Sequence, residues 1–506
     1  MTKPSPPLKL NGQTLTCEAL EAAALGCPKI DLAEAGLARM AASRAIIDDV
    51  IARKVPVYGV TTGLGALANT ALGADQLAAY SEQTIRGRAH AAGPLLPAEQ
   101  VRAALLVRLN TLLIGASGAQ PGVAHSLKAA LEAGLTPAVG EYGSIGASDL
   151  ILGATAGLAL IGEGRFLSAE GGAPIEATQA LKAAGLAPLK VGPRDGLALA
   201  NHAGFSAGLC ALGVAGAARV FSAAQIAAAV SMEGFRANLS PFDERVIALR
   251  GQEGEAKAAR GILAHLEGSS LFTAGQARRL QDPLSIRNIP QVHGLVLAAI
   301  ASARSVVETE LNGSSDNPAT LTTEGEILST GNYLTPHLTG AAESLSRAFV
   351  HLATAQVARM AKLLSEQFTG LPLFLAAPGR VSSGFAPVIK VAEALLTELT
   401  VAASPTPLWS SACAEGIEDV MSSSFSAARA LLQVTELAGR LSAMELMLAA
   451  QCVDLRELGD QAAPAVAQAI GQVRAHSPRL AQDRPLTDDI NALAGAVAAG
   501  VFTRPH

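Results

Sequence analysis

Residues 143–150 read Gly-Ser-Ile-Gly-Ala-Ser-Asp-Leu, and how Ala147-Ser148-Asp149 is read decides both fold and chemistry. Locally, a glycine-rich turn leads through Ser-Asp into an apolar run from Leu150 to Ile161. That pattern predicts a helix start, with the Asp149 carboxylate accepting backbone N–H groups at the helix N-terminus. Two further strings frame the turn: Glu141-Tyr142 before it, and Leu160-Ile161-Gly162-Glu163-Gly164 after the apolar run.

The rest of the chain is helical in character. Of 506 residues half are hydrophobic and only 3% aromatic, with alanine and leucine dominant and strand-favouring residues sparse. Length alone would allow about three or four domains, but the composition is uniform from end to end. The charged fraction of 16% is low against about 25% for an ordinary soluble protein, as expected if helices and subunits pack closely together. A net charge of −5 without a basic run argues against nucleic acid as a partner. Five cysteines without CxxC spacing (Cys17, Cys27, Cys210, Cys413 and Cys452) make zinc and a disulfide framework poor readings and point to a reducing, cytoplasmic setting. The opening Met-Thr-Lys-Pro-Ser-Pro-Pro has no apolar signal core. The nearly uncharged stretch 197–218 contains Asn201, His202, Ser206 and several glycines. It therefore reads as a buried helix, not a membrane span, since lipid would leave those polar groups unpaired.

Up to about Lys190, Gly and Pro break the chain into shorter elements, with short strands expected around 55–60 and 165–167. Beyond Gly196, apolar residues recur at helical spacing near 203–230, 291–312, 341–365, 387–401 and 423–450. The boundaries expected are 1–195 for an N-terminal region and 196–506 for a central helical bundle with C-terminal helices, together forming one compact unit.

Several strings carry chemistry-bearing side chains. They are Val57-Tyr58-Gly59-Val60-Thr61-Thr62-Gly63-Leu64-Gly65, Ala89-His90-Ala91-Ala92-Gly93, Leu197-Ala198-Leu199-Ala200-Asn201, Gln281-Asp282-Pro283-Leu284-Ser285-Ile286-Arg287, Ser315-Asp316-Asn317-Pro318, Gly331-Asn332-Tyr333, Ile417-Glu418-Asp419 and Asp483-Arg484-Pro485-Leu486-Thr487-Asp488-Asp489-Ile490. Singly, each has a plain structural reading: a tyrosine anchoring a loop, a core histidine, a satisfied buried asparagine, a surface ion pair, a solvated carboxylate. As a set with 141–150 and 160–164, they resemble the aromatic amino-acid ammonia-lyase family, and histidine ammonia-lyases in particular, over nearly the whole chain.

Removing ammonia from an amino acid requires loss of a β-proton that is not acidic and departure of a poor leaving group. No ordinary side chain is a strong enough electrophile to help. The family answers with a methylidene-imidazolone ring made from its own Ala-Ser-Gly: the third residue's amide nitrogen attacks the first carbonyl, and the serine loses its hydroxyl. The resemblance implies such a ring from Ala147, Ser148 and Asp149, with no metal or nucleotide. The family's third glycine is missing here, however. Either Asp149 replaces it, or it is deleted and Asp149-Leu150 are the pair that follows; the matching flanks favour deletion. Aspartate handicaps the tight cyclising turn without forbidding it.

By the same resemblance Tyr58 is the base for the β-proton, a role that needs positive potential nearby. Arg287 grips the substrate carboxylate as a planar bidentate donor, with Gln281 in the same string. Asn201 and Tyr333 belong to the pocket, Glu418 meets an imidazole or the substrate amine, and His90 favours a polar or imidazole-bearing side chain. Two more departures fall here: Leu284 where the family has a tyrosine, and His202 where it usually has glycine.

The implied protein is a mainly α, long-helix bundle of the histidine/phenylalanine ammonia-lyase type with a smaller mixed N-terminal region. It is a cytoplasmic homotetramer with shared active sites, partnering neither nucleic acid nor membrane, that removes ammonia from a histidine-like or polar aromatic L-amino acid in catabolism. The alternatives are an aminomutase or altered-substrate lyase of the same family, and a non-catalytic amino-acid-binding relative without the ring.

Overall fold

A computed structural model describes residues 7–65, 68–73, 75–168, 171–377 and 381–503; the first six residues of the opening segment lie outside them. The Ala/Leu-rich stretches form long helices at Gly204–Phe235, Ile289–Leu311, Pro336–Leu363, Ala386–Ala402 and Ser424–Arg456, each overlapping the periodic segment that predicts it. The protein is mainly α, a long-helix bundle with a smaller mixed N-terminal region. The apolar stretch beginning at Asp195 and ending at Phe235 has 78% of its most apolar window buried inside the protein, as its interrupting polar residues require.

The chain forms two compact units of interleaved segments. The first holds the described residues through Leu212 with Arg304–Ala342 and Pro405–Arg429; the second holds Gly213–Ala303, Glu343–Ser404 and the chain from Ala430 onward. All five two-stranded sheets among the described residues lie in the first unit. Leu8–Leu10 pairs in parallel with Ile30–Leu32, whereas Ala92–Leu95 with Gly140–Tyr142 and Arg165–Phe166 with Ile175–Glu176 are antiparallel. Residues 55–60, expected as a strand, form none: 55–57 are irregular and 58–60 are a turn. The Val57 carbonyl accepts from the N–H groups of Val60, Thr61 and Thr62, and the Thr61 hydroxyl links Val57 N–H to the Val55 carbonyl. Local hydroxyl bonding satisfies the backbone that a strand partner would have satisfied.

Three helices of the first unit position the site: Leu77–Arg86, Leu150–Leu160 and Asp195–Ala200. Leu150–Leu160 is apolar on every side and correspondingly buried, with Leu152 and Leu160 at or near zero exposure; each such leucine contributes about 2 kcal/mol. Close approach to Asp195–Ala200 depends on Gly153, where a Cβ would fall 2.6 Å from the Ala200 carbonyl oxygen and 2.9 Å from His202 Nε2. In the second unit, a fully buried Arg359–Glu445 pair at 2.7 Å, joined by Ser231 Oγ and the Ser285 carbonyl, ties the helices together.

Candidate active site

The ends of those three helices converge. Arg88 follows the first, Ser148-Asp149 leads into the second, and Asn201 terminates the third. A cavity of about 500 Å³ opens among them, lined by Tyr58, Arg88, Ala147, Ser148, Leu150, Asn201, Asn317, Tyr333 and Glu418. Of the residues singled out from sequence, Tyr58, Ala147, Ser148, Asn201, Tyr333 and Glu418 therefore share one wall, all within the first unit.

The main chain at 144–149 is tightly bound. Gly146 has φ +77°, and a Cβ there would collide with Ser422 Oγ; that hydroxyl donates to the Gly146 carbonyl at 2.7 Å. Ser148 takes the left-handed conformation at φ +59°, costly for a residue with a Cβ. Its N–H donates to the Tyr333 carbonyl at 2.8 Å. Its hydroxyl is buried at the cavity wall and makes no hydrogen bond.

Asp149 occupies the N-cap position of Leu150–Leu160 but makes no side-chain cap bond, which corrects the capping expectation. Its carboxylate, fully buried, turns away and accepts from Ser206 N–H and Ser206 Oγ at 2.8 Å each and from Ser144 Oγ at 2.7 Å. Burial pushes its pKa up, and these donors only partly restrain the rise. The Asp149 N–H donates to the His202 carbonyl at 2.8 Å, and its carbonyl accepts the first helical bond from Gly153.

Around Tyr58, the Gly65 N–H donates to the phenolic oxygen at 3.2 Å. The buried Arg194 guanidinium adds positive potential. Burial pulls its pKa down to about 10 against the opposing pull of Asp316, Asp195 and Tyr58. Arg194 also donates to the carbonyls of Ser117, Asn317 and Pro318, while Arg108 binds Asp316 through both terminal nitrogens at 3.1 and 2.8 Å. This cationic platform fixes Asn317, whose carbonyl accepts from Asn201 Nδ2 at 3.3 Å and whose Oδ1 accepts from Thr330 N–H at 3.0 Å. The Tyr333 phenol is held above its ordinary pKa by burial and by Tyr58 and Glu418.

Other expected residues lie elsewhere. His90 is exposed and does not line the cavity; Arg88, two positions earlier, does. His202 is buried and stacked on Phe205, its Nδ1 accepting from Gly204 N–H. It packs behind the cavity wall and does not crowd the pocket, and burial drives its pKa down to about 3. Gln281 is exposed, and Arg287 with Leu284, Arg250 and Gln291 lines an open recess of the second unit. Arg88, Arg194 and Asn317 are site residues that sequence reasoning misses. Arg88 immediately precedes Ala89–Gly93 and Asn317 lies within Ser315–Pro318, whereas Arg194, in Pro193-Arg194-Asp195, has no signal in its local sequence.

The fold and this cavity define a carbon–nitrogen lyase. The aromatic amino acid lyase model matches residues 15–475. A histidine ammonia-lyase of Anaeromyxobacter dehalogenans is 36% identical over 98% of this chain and 99% of its own length. Among solved structures, histidine ammonia-lyase from Trypanosoma cruzi superposes with a TM-score of 0.90 at 28% identity, covering 98% of this chain and 94% of that one. Ergothionase from Treponema denticola, an ergothioneine-degrading enzyme, superposes with a TM-score of 0.92 at 28% identity, covering 99% and 100%. The chain belongs to the aromatic amino acid lyase family, which is known to use a methylidene-imidazolone group.

Proposed function

We propose that the first unit's cavity eliminates the amine from a histidine-like or other polar aromatic L-amino acid. The observation that carries this reading is the convergence of Tyr58, Asn201, Tyr333 and Glu418 on one pocket. Tyr58 takes the β-proton as phenolate, its charge supported by the Gly65 N–H and by the field of Arg194. Glu418 meets the imidazole or the cationic amine, and Asn201 orients the substrate. Arg88 is the cavity's own cation for the substrate carboxylate. Arg287 joins the site as a contribution from another copy in a homotetramer.

The methylidene-imidazolone fits these residues poorly. Closing it would join the Asp149 nitrogen to the Ala147 carbonyl carbon and remove the hydrogen that Asp149 donates to His202. It would also swing a residue whose carboxylate is tied to Ser144 and Ser206 in a fully buried site. Each buried group left unpaired costs about 1–3 kcal/mol. No step of the mechanism is therefore routed through the ring.

Tyr58→Phe tests the reading. It lowers kcat by roughly 10²–10⁴-fold, measured as formation of the conjugated acrylate, with an unchanged melting temperature. Full turnover by this variant would remove Tyr58 as the base and the proposed mechanism with it.

A further inference from the structure

A lyase pocket without an electrophile has to solve the leaving-group problem differently. A base able to take a carbon-bound β-proton would first take the far more acidic N–H proton of an α-ammonium. The resulting neutral amine cannot leave. A nitrogen with no N–H escapes this competition, because it stays cationic whatever the base does.

The cavity is suited to such a cation. Tyr58, Tyr333 and Glu418 line it together, and Tyr58 and Glu418 both act electrostatically on the Tyr333 phenol. Two aromatic rings and a carboxylate are the partners a quaternary ammonium takes, since it donates no classical N–H hydrogen bond and is held by charge and ring faces. Arg88, on the same cavity, supplies the complementary charge for a carboxylate. The buried Ser148 hydroxyl, without a hydrogen-bond partner, lies in the wall beside them.

We infer that the chain at Ala147-Ser148-Asp149 stays an open peptide and that the substrate is an Nα-trimethylated, imidazole-type amino acid whose leaving group is a tertiary amine. The inference rests on the amine-elimination reading above. Tyr58 phenolate takes the β-proton, and the C–H electron pair becomes the Cα=Cβ bond. The Cα–N bond breaks with its pair going to nitrogen. The products are the trans acrylate, neutral trimethylamine and a proton on Tyr58, with no oxidant or reductant involved.

The test supplies the purified enzyme with L-histidine and with its Nα-trimethyl betaine, which would give the same acrylate. Acrylate absorbance is followed, and trimethylamine or ammonia is identified by NMR. The expected result is acrylate and trimethylamine from the betaine and complete loss of signal with L-histidine. Acrylate and ammonia from L-histidine would overturn the inference while leaving the lyase reading intact. Acrylate from neither would overturn the inference and remove a histidine-like substrate from the lyase reading. Within a positive result, Glu418→Gln should raise KM for the betaine more than it lowers kcat; a KM left unchanged would remove Glu418 from the cation site.

Discussion

Asp149 and Asp316 both lie in the first unit with no exposed surface, yet one sits among hydroxyls and the other between guanidiniums. For Asp316, burial alone would raise the pKa, but Arg108 and Arg194 outweigh it and hold the carboxyl below its ordinary range. For Asp149, burial wins, because Ser144 and Ser206 offer dipoles and no charge. Asp316 anchors an electrostatic platform under the cavity, whereas Asp149 is a main-chain lock. Its three side-chain bonds and its N–H to His202 fix the peptide that would have to move if the triplet were to cyclise.

The largest effect that probes this contrast is on Asp316. Asp316→Asn leaves Arg108 buried without its counter-charge, takes from Arg194 the larger of the two that act on it, and destabilises the protein by about 3–5 kcal/mol, read from denaturant unfolding. A loss under 1 kcal/mol, within the range of surface pairs, would mean the platform is not the anchor described.

The two acids should also respond oppositely to pH. A carboxyl whose folded pKa is lowered contributes stability above its unfolded pKa of 3.8, and that contribution is lost as pH falls through the folded value. A carboxyl whose folded pKa is raised contributes stability below 3.8 that is lost as pH rises through the folded value. Melting temperatures across that acid range should therefore show Asp149→Asn gaining on the unsubstituted protein as pH rises, and Asp316→Asn closing its deficit as pH falls. The same slope for both would collapse the comparison.

A smaller effect is expected from Ser206→Ala, which removes one hydroxyl donor to Asp149 and the partner of Ser424 Oγ. The cost is about 1–2 kcal/mol, with no change for Asp316.

Much of this was legible beforehand, for identifiable reasons. The long helices follow from apolar periodicity, which survives in any environment that buries one face. Tyr58, Ser148, Asn201, Tyr333 and Glu418 were found through strings, and the fold brings those strings to one cavity. What failed depended on direction or local bonding. The 55–60 segment has strand-forming valines, but the Thr61 hydroxyl bonds Val55 and Val57 and the Thr62 hydroxyl bonds Val57, folding the segment back on itself. Asp149 has the identity and position of a cap, but Ser206, 57 residues away in sequence, claims its carboxylate. His202 departs from the family's usual glycine, and only the packing of Gly153 and Phe205 reveals that its ring points behind the pocket. Arg194 reaches the site through carbonyls 77 to 124 residues distant, a relation that sequence spacing does not encode.

The most direct measurement is the intact mass of the unfolded, full-length chain by high-resolution mass spectrometry. An open Ala147-Ser148-Asp149 peptide gives the mass of the unmodified sequence, the result expected here. A mass lighter by two waters, mapping to the peptide that contains Ser148, would show that the ring forms despite the Asp149 lock and would contradict the account.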